Sequence, residues 1–482
     1  MTGDVMRVRL ASAAGPLTSG AAVIVVFAAT SGFLPAPLLL GATVGALLAH
    51  LALARPRAAV AIGLVAIACV PVYYGQYVGG TQLGITPVAV VSALLLPLAL
   101  RECHRLRLGP LDVAVLVFVG LRALSYALNF EGAFGLTAAL LLLVLLPYAV
   151  FRVVLLLPGA LRAASWALAA AAVPLCVVAL RERAGKPNPF FTWVTPEYQA
   201  DEWAKATSRL STARVEASFG HPIAFGMFLA LAFVLLVALA LTTRQTWAKV
   251  GCFAAMPLVL VALVMTLSRG PMLMVAVALP VFLLTQASHL DPRRLRAVLL
   301  IGLALGIVVL QNSGTLAELR EDSSGESTTA SSAQFRLEIL EIVRDPAQFS
   351  VLGQASESDT GVTESVYSRV GVVSVDNAYA LLYLASGALV LLAFVGVAVL
   401  VWRSAVARGL DALQRAWAVS VAVALLNLLT VNLLTSYADL FWIAVASVAG
   451  VAQTTVSRGK RAQELPLPQD HSGRVPLPAA AH

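Results

Sequence analysis

Residues 220–243 read GHPIAFGMFLALAFVLLVALALTT, and no Asp, Glu, Lys or Arg interrupts this stretch. A helix of about 20 apolar residues crosses the hydrocarbon core of a bilayer, because each residue adds about 1.5 Å to its length. Similar apolar runs recur along the chain, which is 59% hydrophobic and only 12% charged. Strands of a membrane barrel would alternate apolar and polar residues, and these runs do not alternate. The sequence therefore predicts an all-α polytopic integral membrane protein.

The apolar runs predict about 12–14 transmembrane helices, several of them short or interrupted by proline. The runs lie at 18–34, 36–54, 58–77, 82–100, 111–128, 133–151, 163–180, 220–243, 247–267, 270–288, 297–311, 378–402, 413–433 and 437–455. The predicted organisation is N-terminal helices over 1–180, a loop over 181–219, central helices over 220–311, a large loop over 312–377, C-terminal helices over 378–455 and a disordered tail over 456–482.

Basic residues are concentrated in alternate connections between the runs. If the N-terminus is cytoplasmic, every inner connection holds arginine or lysine, and nearly all outer connections are short and uncharged. This is the distribution that the positive-inside rule requires. Both long loops then lie on the outer face, and the net charge of +8 reflects orientation rather than binding of nucleic acid.

The first long loop mixes aromatic and cationic residues, among them Arg209 and Arg214, and ends at His221-Pro222 where the next run begins. Aromatic rings stack on sugar faces, and a guanidinium group binds phosphate through two hydrogen bonds, so the mixture suits a ligand with both groups. An interfacial belt of aromatic residues with snorkelling cations has the same composition. Both interpretations stay open at this point.

Two further arginines lie in or beside apolar runs. Arg269 belongs to the segment TLSRG at 266–270, which joins two runs with almost no loop. The positive-inside rule gives no reason for an arginine at the outer end of a helix, so an anionic partner is favoured over simple snorkelling. Arg122 falls inside the run at 111–128, where a polar side chain either serves function or joins helices.

The second long loop contains a predicted amphipathic helix over 334–344. Its apolar residues recur with helical spacing and the helix ends before Pro346. Such a helix lies on the membrane surface, where Arg336 can either reach inward or stay solvated. The loop ends in Asp376 and Asn377, which supply a carboxylate near an acceptor hydroxyl in one interpretation and a helix N-cap in the other.

Four motifs, in this order, resemble those of the O-antigen ligase and polymerase family of bacterial membrane proteins. They are RVEASFGHPIAFG at 214–226, SRG at 268–270, the helix from Ser331 to Arg336 with the later Pro346 and Gly353, and DNAY at 376–379 with Gly387. The resemblance covers residues from about 210 to 400, and the N-terminal half matches only in being a series of spans.

The resemblance implies a metal-independent glycosyltransferase of the GT-C type in the bacterial cytoplasmic membrane. Its termini would be cytoplasmic, its active site extracytoplasmic, and its partners an undecaprenyl-pyrophosphate-linked glycan donor, a glycan acceptor and membrane lipid, without a cofactor. The expected catalytic residues are Asp376, Arg269 and Arg336. The expected substrate-binding residues are Arg214, His221, Arg209, Asn377, Tyr379 and Arg122.

Ligases of this family commonly carry a histidine where this chain has Asp376, and Gly353-Gln354-Ala355 replaces the expected Gly-x-Gly. These departures favour a polymerase of repeat units, working with a flippase or a chain-length partner, over a ligase that transfers finished glycan. A lipid-linked oligosaccharide flippase or exporter is the main alternative, although it would concentrate charge in a central cavity. A membrane anchor whose loops bind other proteins is a third possibility.

Overall fold

The computed structural model describes part of the chain. The described residues are 51, 54–71, 76–77, 84–190, 208–209, 212–286, 337–354, 362–372, 375–433 and 435–464. Within them the protein is all-α and polytopic, which confirms the predicted fold class. The runs predicted at 18–34, 36–54 and 297–311 lie wholly or almost wholly outside the described residues, as does most of the C-terminal tail.

The helices are bounded as follows in the described residues. They are α1 (Pro56–Cys69), α2 (Pro87–Glu102), α3 (Pro110–Asn129), α4 (Ala133–Leu140), α5 (Leu146–Val154), α6 (Ala160–Arg183), α7 (Pro222–Thr242), α8 (Thr246–Met265), α9 (Arg269–Gln286), α10 (337–344), α11 (Val362–Val370), α12 (Ala378–Ser386), α13 (Ala388–Ala405), α14 (Ala412–Asn427) and α15 (Thr435–Glu464). Two short antiparallel pairs complete this set, β1 (Gln76–Tyr77) with β2 (Gly84–Ile85), and β3 (Ser208–Arg209) with β4 (Thr212–Ala213).

Eight helical segments of the described residues are long and apolar enough to cross a membrane. They are Pro87–Arg105, Pro110–Asn129, Ala133–Val154, Ala160–Arg183, Pro222–Thr242, Thr246–Met265, Arg269–Gln286 and Ala388–Ala405. A π-helical turn at Leu141–Leu145 joins α4 and α5 into one of these segments. Three shorter apolar helices accompany them, Pro56–Cys69, Ala412–Asn427 and Tyr437–Gln453. The chain is therefore a multi-pass membrane protein.

The central helix is α7, which forms from the uncharged stretch at 220–243. In its most apolar stretch of 18 residues 94% of the residues are buried, whereas in the corresponding stretch of α13 only 28% are buried. A helix that is apolar on every side is stable only when other helices surround it, and α7 packs against α6, α8, α9 and α14. The two ends of α7 consequently mark the two faces of the bundle, and both faces carry polar clusters.

The predicted amphipathic helix of the second loop is present as α10. Ile339 is 2% exposed and packs with Val366, Val375 and Leu384 in a small apolar cluster that also includes α11 and α12. The helix ends at residue 344, and the carboxylate of Asp345 accepts the N–H of residue 347 in the following turn. The end before Pro346 agrees with the prediction, and the proposed start of the helix lies outside the described residues.

A backbone contact fixes the end of this loop to the junction of α12 and α13. The amide of Ala388 donates to Ser350 O at 2.9 Å, and the amide of Leu389 donates to Val351 O at 3.1 Å. Gly387, which immediately precedes these two residues, has a φ of +89°, and a Cβ there would overlap the backbone of Gly353. Only glycine satisfies both the positive φ and the close approach.

Arg369 makes a second contact between the loop and α12. Sequence analysis did not identify this residue. Its guanidinium donates to the carbonyl of Leu384 at the end of α12 and to the carbonyl of Gln354 at 3.4 Å. Burial lowers the pKa of Arg369 from its ordinary value. The loop after α10 and the end of α12 are thereby held together.

Candidate functional site

Two motifs that are distant in the sequence meet where α7 begins. Arg214 Nε donates to Thr266 O at 2.8 Å, and its Nη2 donates to Ser268 Oγ at 2.6 Å. The amide of Val215 also points to Met265 O, at 3.4 Å. These bonds set the plane of the Arg214 guanidinium and place it beside the turn that carries Arg269 into α9.

Two glycines allow this turn to lie close against its neighbours. A Cβ at Gly226 of α7 would come within 2.8 Å of Pro271, which occupies the first turn of α9. A Cβ at Gly270 would overlap the Oδ1 of Asn427 at the end of α14. The exposed side chain of Arg269 therefore extends from a backbone that is packed tightly between α7 and α14.

Backbone strain is concentrated in the same two segments. Among the described residues, Ala217 and Leu267 are the non-glycine residues with positive φ, and each has a φ of +48°. A side chain in this region costs energy, and such residues are enriched at functional sites where the surroundings hold them in place. Ala217 follows Arg214 by three positions, and Leu267 precedes Arg269 by two. The strained backbone thus flanks both arginines.

Glu182 and Asn188 hold the strained segment of Ala217, and sequence reasoning missed both. Glu182 Oε2 accepts the amides of Glu216 at 3.0 Å and Ala217 at 3.1 Å. Asn188 Nδ2 donates to Ala217 O at 2.8 Å and also to Glu182. The available signal was a carboxylate at the end of an otherwise apolar helix, six residues before an asparagine. Its flanking arginines, Arg181 and Arg183, gave it the pattern of an ordinary loop.

His221 caps α7 and lies between two charged groups. Its Nδ1 accepts the amide of Ile223 at 3.2 Å, so the neutral ring carries its proton on Nε2 and presents an N–H donor there. Burial and the positive charge of Arg214 lower the pKa of His221 to about 4, and the carboxylate of Asp376 partly opposes this. The ring is therefore uncharged at neutral pH.

In the segment 376–379, Asp376 and Asn377 have different roles, and only one of them is the helix cap. Asn377 caps α12, because its Oδ1 accepts the amides of Tyr379 at 3.0 Å and Ala380 at 3.1 Å. Asp376 is consequently not the cap, and its carboxylate is exposed at the mouth of the site. It lies close enough to His221 to act on the titration of the imidazole.

A turn over residues 425–431, here named the α14 turn, connects the Arg269 segment to the Asp376 segment. Asn427 lies against Gly270 on one side. On the other side, the carbonyls of Leu428 and Val431 accept the amide of Ala378 at 3.0 and 3.2 Å. The hydroxyl of Tyr379 donates to a carbonyl of the same turn at 2.9 Å. The α14 turn therefore fixes the relative positions of the two segments.

Arg122 lies apart from this cluster, midway along α3. Its guanidinium is 6.0 Å from the ring of Phe118 and 5.5 Å from the ring of Tyr126, one helical turn to either side. Phe118 packs on Phe394 at 5.4 Å, and Phe394 packs on Tyr379 at 5.3 Å. A series of aromatic contacts connects Arg122 to the site. In this series the ring of Tyr379 packs on Phe394, and its hydroxyl donates to Leu425 O.

The remaining two predicted residues are described in part or not at all. Arg209 lies in β3, where its backbone pairs with that of Thr212, and the hairpin leads directly into Arg214. Its side chain lies outside the described residues, and so does all of Arg336, which immediately precedes α10. Their proposed roles remain predictions.

Three helix N-termini converge around these side chains. His221 begins α7, Arg269 begins α9 and Asn377 begins α12. The N-terminal end of a helix carries a partial positive charge and outward-pointing amides, which favour anions. With Arg214 beside Arg269, the arrangement can bind a phosphate or diphosphate, and Asp376 supplies a carboxylate at its edge.

These features define a multi-pass α-helical membrane protein with a candidate site at one end of its central helix. Comparison with known protein families, with curated proteins and with solved structures finds no match for this chain.

Proposed function

We propose that the protein transfers glycan units from an undecaprenyl-pyrophosphate donor to a sugar hydroxyl, at the end of the bundle where α7 begins. The observation that carries the proposal is the bonding of Arg214 to Thr266 and Ser268, which brings its guanidinium beside Arg269. A guanidinium group held against the turn in which Arg269 begins α9 suits a diphosphate, because departure of the diphosphate from the sugar develops negative charge. The motif resemblance supplies the identity of the donor.

The proposed reaction forms one glycosidic bond and breaks the bond between the sugar and its pyrophosphate. The acceptor hydroxyl attacks the anomeric carbon, and its proton passes to the carboxylate of Asp376. The electron pair of the broken C–O bond leaves with the lipid pyrophosphate, which Arg214 and Arg269 stabilise. The Nε2–H of His221 adds a neutral hydrogen-bond donor on the same side.

An aspartate base is favoured by two features of the site. Asn377 provides the cap of α12, so Asp376 is not required for that role. The Nδ1 of His221 is occupied by the amide of Ile223, so the imidazole acts as a donor rather than as a base. Asp376 in place of histidine supports the polymerase over the ligase in our proposal.

The first experiment is the length profile of undecaprenyl-linked glycans from cells that lack the protein. Accumulation of single repeat units is expected for a polymerase, whereas long chains retained on the lipid would indicate a ligase. Complementation with Arg269→Ala, Arg214→Ala or Asp376→Asn should each reduce polymer by about 100-fold or more, because an electrostatic or proton-transfer group is removed.

The matched control is Arg403→Ala, an exposed arginine at the far end of α13. It removes the same charge at a distance from the site and should restore normal chain lengths, with equal abundance of every variant in the membrane. Normal polymer from all three site variants would overturn the assignment of these residues. Binding of the lipid pyrophosphate by purified protein without any turnover would favour the flippase instead.

A further inference from the structure

A second site lies at the opposite end of α7, independent of the proposed reaction. The bundle forms a half-open cavity of about 480 Å³ there, between the turn joining α5 to α6, the end of α7, the start of α14 and the middle of α15. One wall is apolar and consists of Leu155, Leu156, Leu157 and Leu161. Arg162 lies at the edge of the same cavity.

The other polar residues of the wall are satisfied within their own helices. Thr242 donates to a carbonyl of α7 at 2.8 Å, and Ser447 donates to a carbonyl of α15 at 2.7 Å. The carboxylate of Asp411 accepts the amide of Gln414 at 2.9 Å, and the Gln414 side chain accepts the amide of Asp411 at 3.1 Å. These bonds cap α14, so the negative charge of Asp411 is already placed at a helix N-terminus.

The wall also contains hydrogen-bond donors, namely two backbone amides and two arginine side chains nearby. In the described part of the chain, the amides of Leu161 and Arg162 reach no carbonyl, as the first amides of a helix generally do not. The guanidinium of Arg57 lies over Gly159 at the start of α6, with Nε 3.3 Å from where a Cβ would be. Neither Arg57 nor Arg162 takes part in the ion pairs recorded for the described residues.

A buried donor behind the wall lacks a hydrogen-bond acceptor within the described ranges, although its guanidinium is ion-paired with Asp112. Arg152 is 2% exposed, and its Nη1 meets no acceptor among the described residues. That Nη1 is 3.7 Å from where a Cβ of Gly450 would lie, and Gly450 lines the cavity. The absence of a side chain at Gly450 leaves the guanidinium directly behind the wall.

We propose that this cavity binds the phosphate of a membrane phospholipid, with its acyl chain along the leucine wall. Arg162 lines the cavity at the N-terminus of α6, and Arg57 lies over the neighbouring Gly159. Guanidinium groups and helix N-termini both bind phosphate readily. The arginine distribution predicts that this end of α7 is cytoplasmic, where basic pockets between transmembrane helices bind anionic headgroups. The four leucines select a phosphate that carries a hydrocarbon chain.

The test uses the full-length protein in detergent and native mass spectrometry. After a delipidating wash, the protein is mixed with phosphatidylglycerol, with phosphatidylcholine or with inorganic phosphate. Wild type should retain about one phosphatidylglycerol per chain, and Arg57→Glu/Arg162→Glu should retain at least about 10-fold less, because two attractive charges become repulsive. Arg403→Glu, on the same face but outside the cavity, should bind as wild type does.

Equal retention by the double variant and wild type would overturn the site. Binding of inorganic phosphate without retention of phospholipid would overturn the lipid assignment while leaving the cations in place. If the double variant does not fold, the wild-type protein alone decides the matter. Its Tm should rise with phosphatidylglycerol more than with phosphatidylcholine or phosphate, and an equal Tm in all three would contradict the proposal.

Discussion

Each end of the bundle holds an arginine inside the protein, but the two arginines have different partners. Arg152 Nε donates to Asp112 Oδ1 at 2.7 Å, and both side chains are 2% exposed. Arg214 instead donates to the carbonyl of Thr266 at 2.8 Å and the hydroxyl of Ser268 at 2.6 Å, which are uncharged. The carboxylate neutralises the guanidinium of Arg152, and the carbonyl and hydroxyl fix the plane of the guanidinium of Arg214.

Arg152 therefore joins helices, whereas the bonds of Arg214 position it at the candidate site. The Asp112 carboxylate also accepts the hydroxyl of Tyr148 at 2.7 Å, and Arg152 donates to the side chain of Gln453 at 2.9 Å. These bonds connect α3, α5 and α15 through one buried network. We therefore expect replacement of Arg152 to lower stability most, and replacement of Arg214 to lower activity most.

The largest expected effect on stability is that of Arg152→Met. It leaves the buried carboxylate of Asp112 unpaired, which costs about 3–5 kcal/mol. Unfolding of the purified protein should show this loss, and adding Asp112→Leu should recover most of it, because no charge then stays buried. Arg214→Met should cost less, about 1–3 kcal/mol for the hydrogen bonds it removes, while abolishing polymer. Equal destabilisation by the two arginine variants would remove the distinction.

A smaller effect is expected at the contact between the site and the α14 turn. Gly270→Ala places a methyl group on the Oδ1 of Asn427, and overpacking of this kind costs about 1–3 kcal/mol. Because the displaced backbone carries Arg269, polymer yield should fall together with stability. Asn427→Ala in the same chain should restore both by removing the overlap. Gly251→Ala, with open space around its Cβ, is the matched control.

The last expected effect is a pH dependence at the end with His221. Its pKa is about 4 in the folded protein and 6.5 ordinarily, so between these values the unfolded chain binds the extra proton. The contribution is fully present above pH 6.5, and stability falls as the pH is lowered from 6.5 towards 4. His221→Gln should flatten thermal unfolding profiles over this range, whereas the exposed His104→Gln should leave them unchanged.

The fold could be predicted from the sequence because its causes are local. Long uncharged runs such as 220–243 must be helical in a bilayer, since only helices or closed barrels satisfy the backbone there. The amphipathic spacing of the second loop likewise predicted α10 and its end before Pro346. Even the placement of α7 at the centre follows from its apolar residues on every side.

The site could be predicted only in part, because its causes are contacts between distant segments. The sequence marked Arg214 and Arg269 as unusual, yet their proximity depends on the hydrogen bonds to Thr266 and Ser268. It also left Asp376 and Asn377 as equal candidates for the helix cap, which the structure assigns to Asn377. Glu182 gave almost no signal, because its role is to accept amides of a loop more than thirty residues away.

The α14 turn determines when the two segments of the candidate site become oriented relative to each other. It holds Gly270 through Asn427 and Ala378 through two carbonyls, so the segments bearing Arg269 and Asp376 move as one rigid part. In the proposed reaction, the distance between the departing diphosphate and the arriving hydroxyl would then be set when the chain folds, before either substrate is present. Orientation that is complete before binding does not have to be created during the reaction, and such preorganisation contributes directly to the rate.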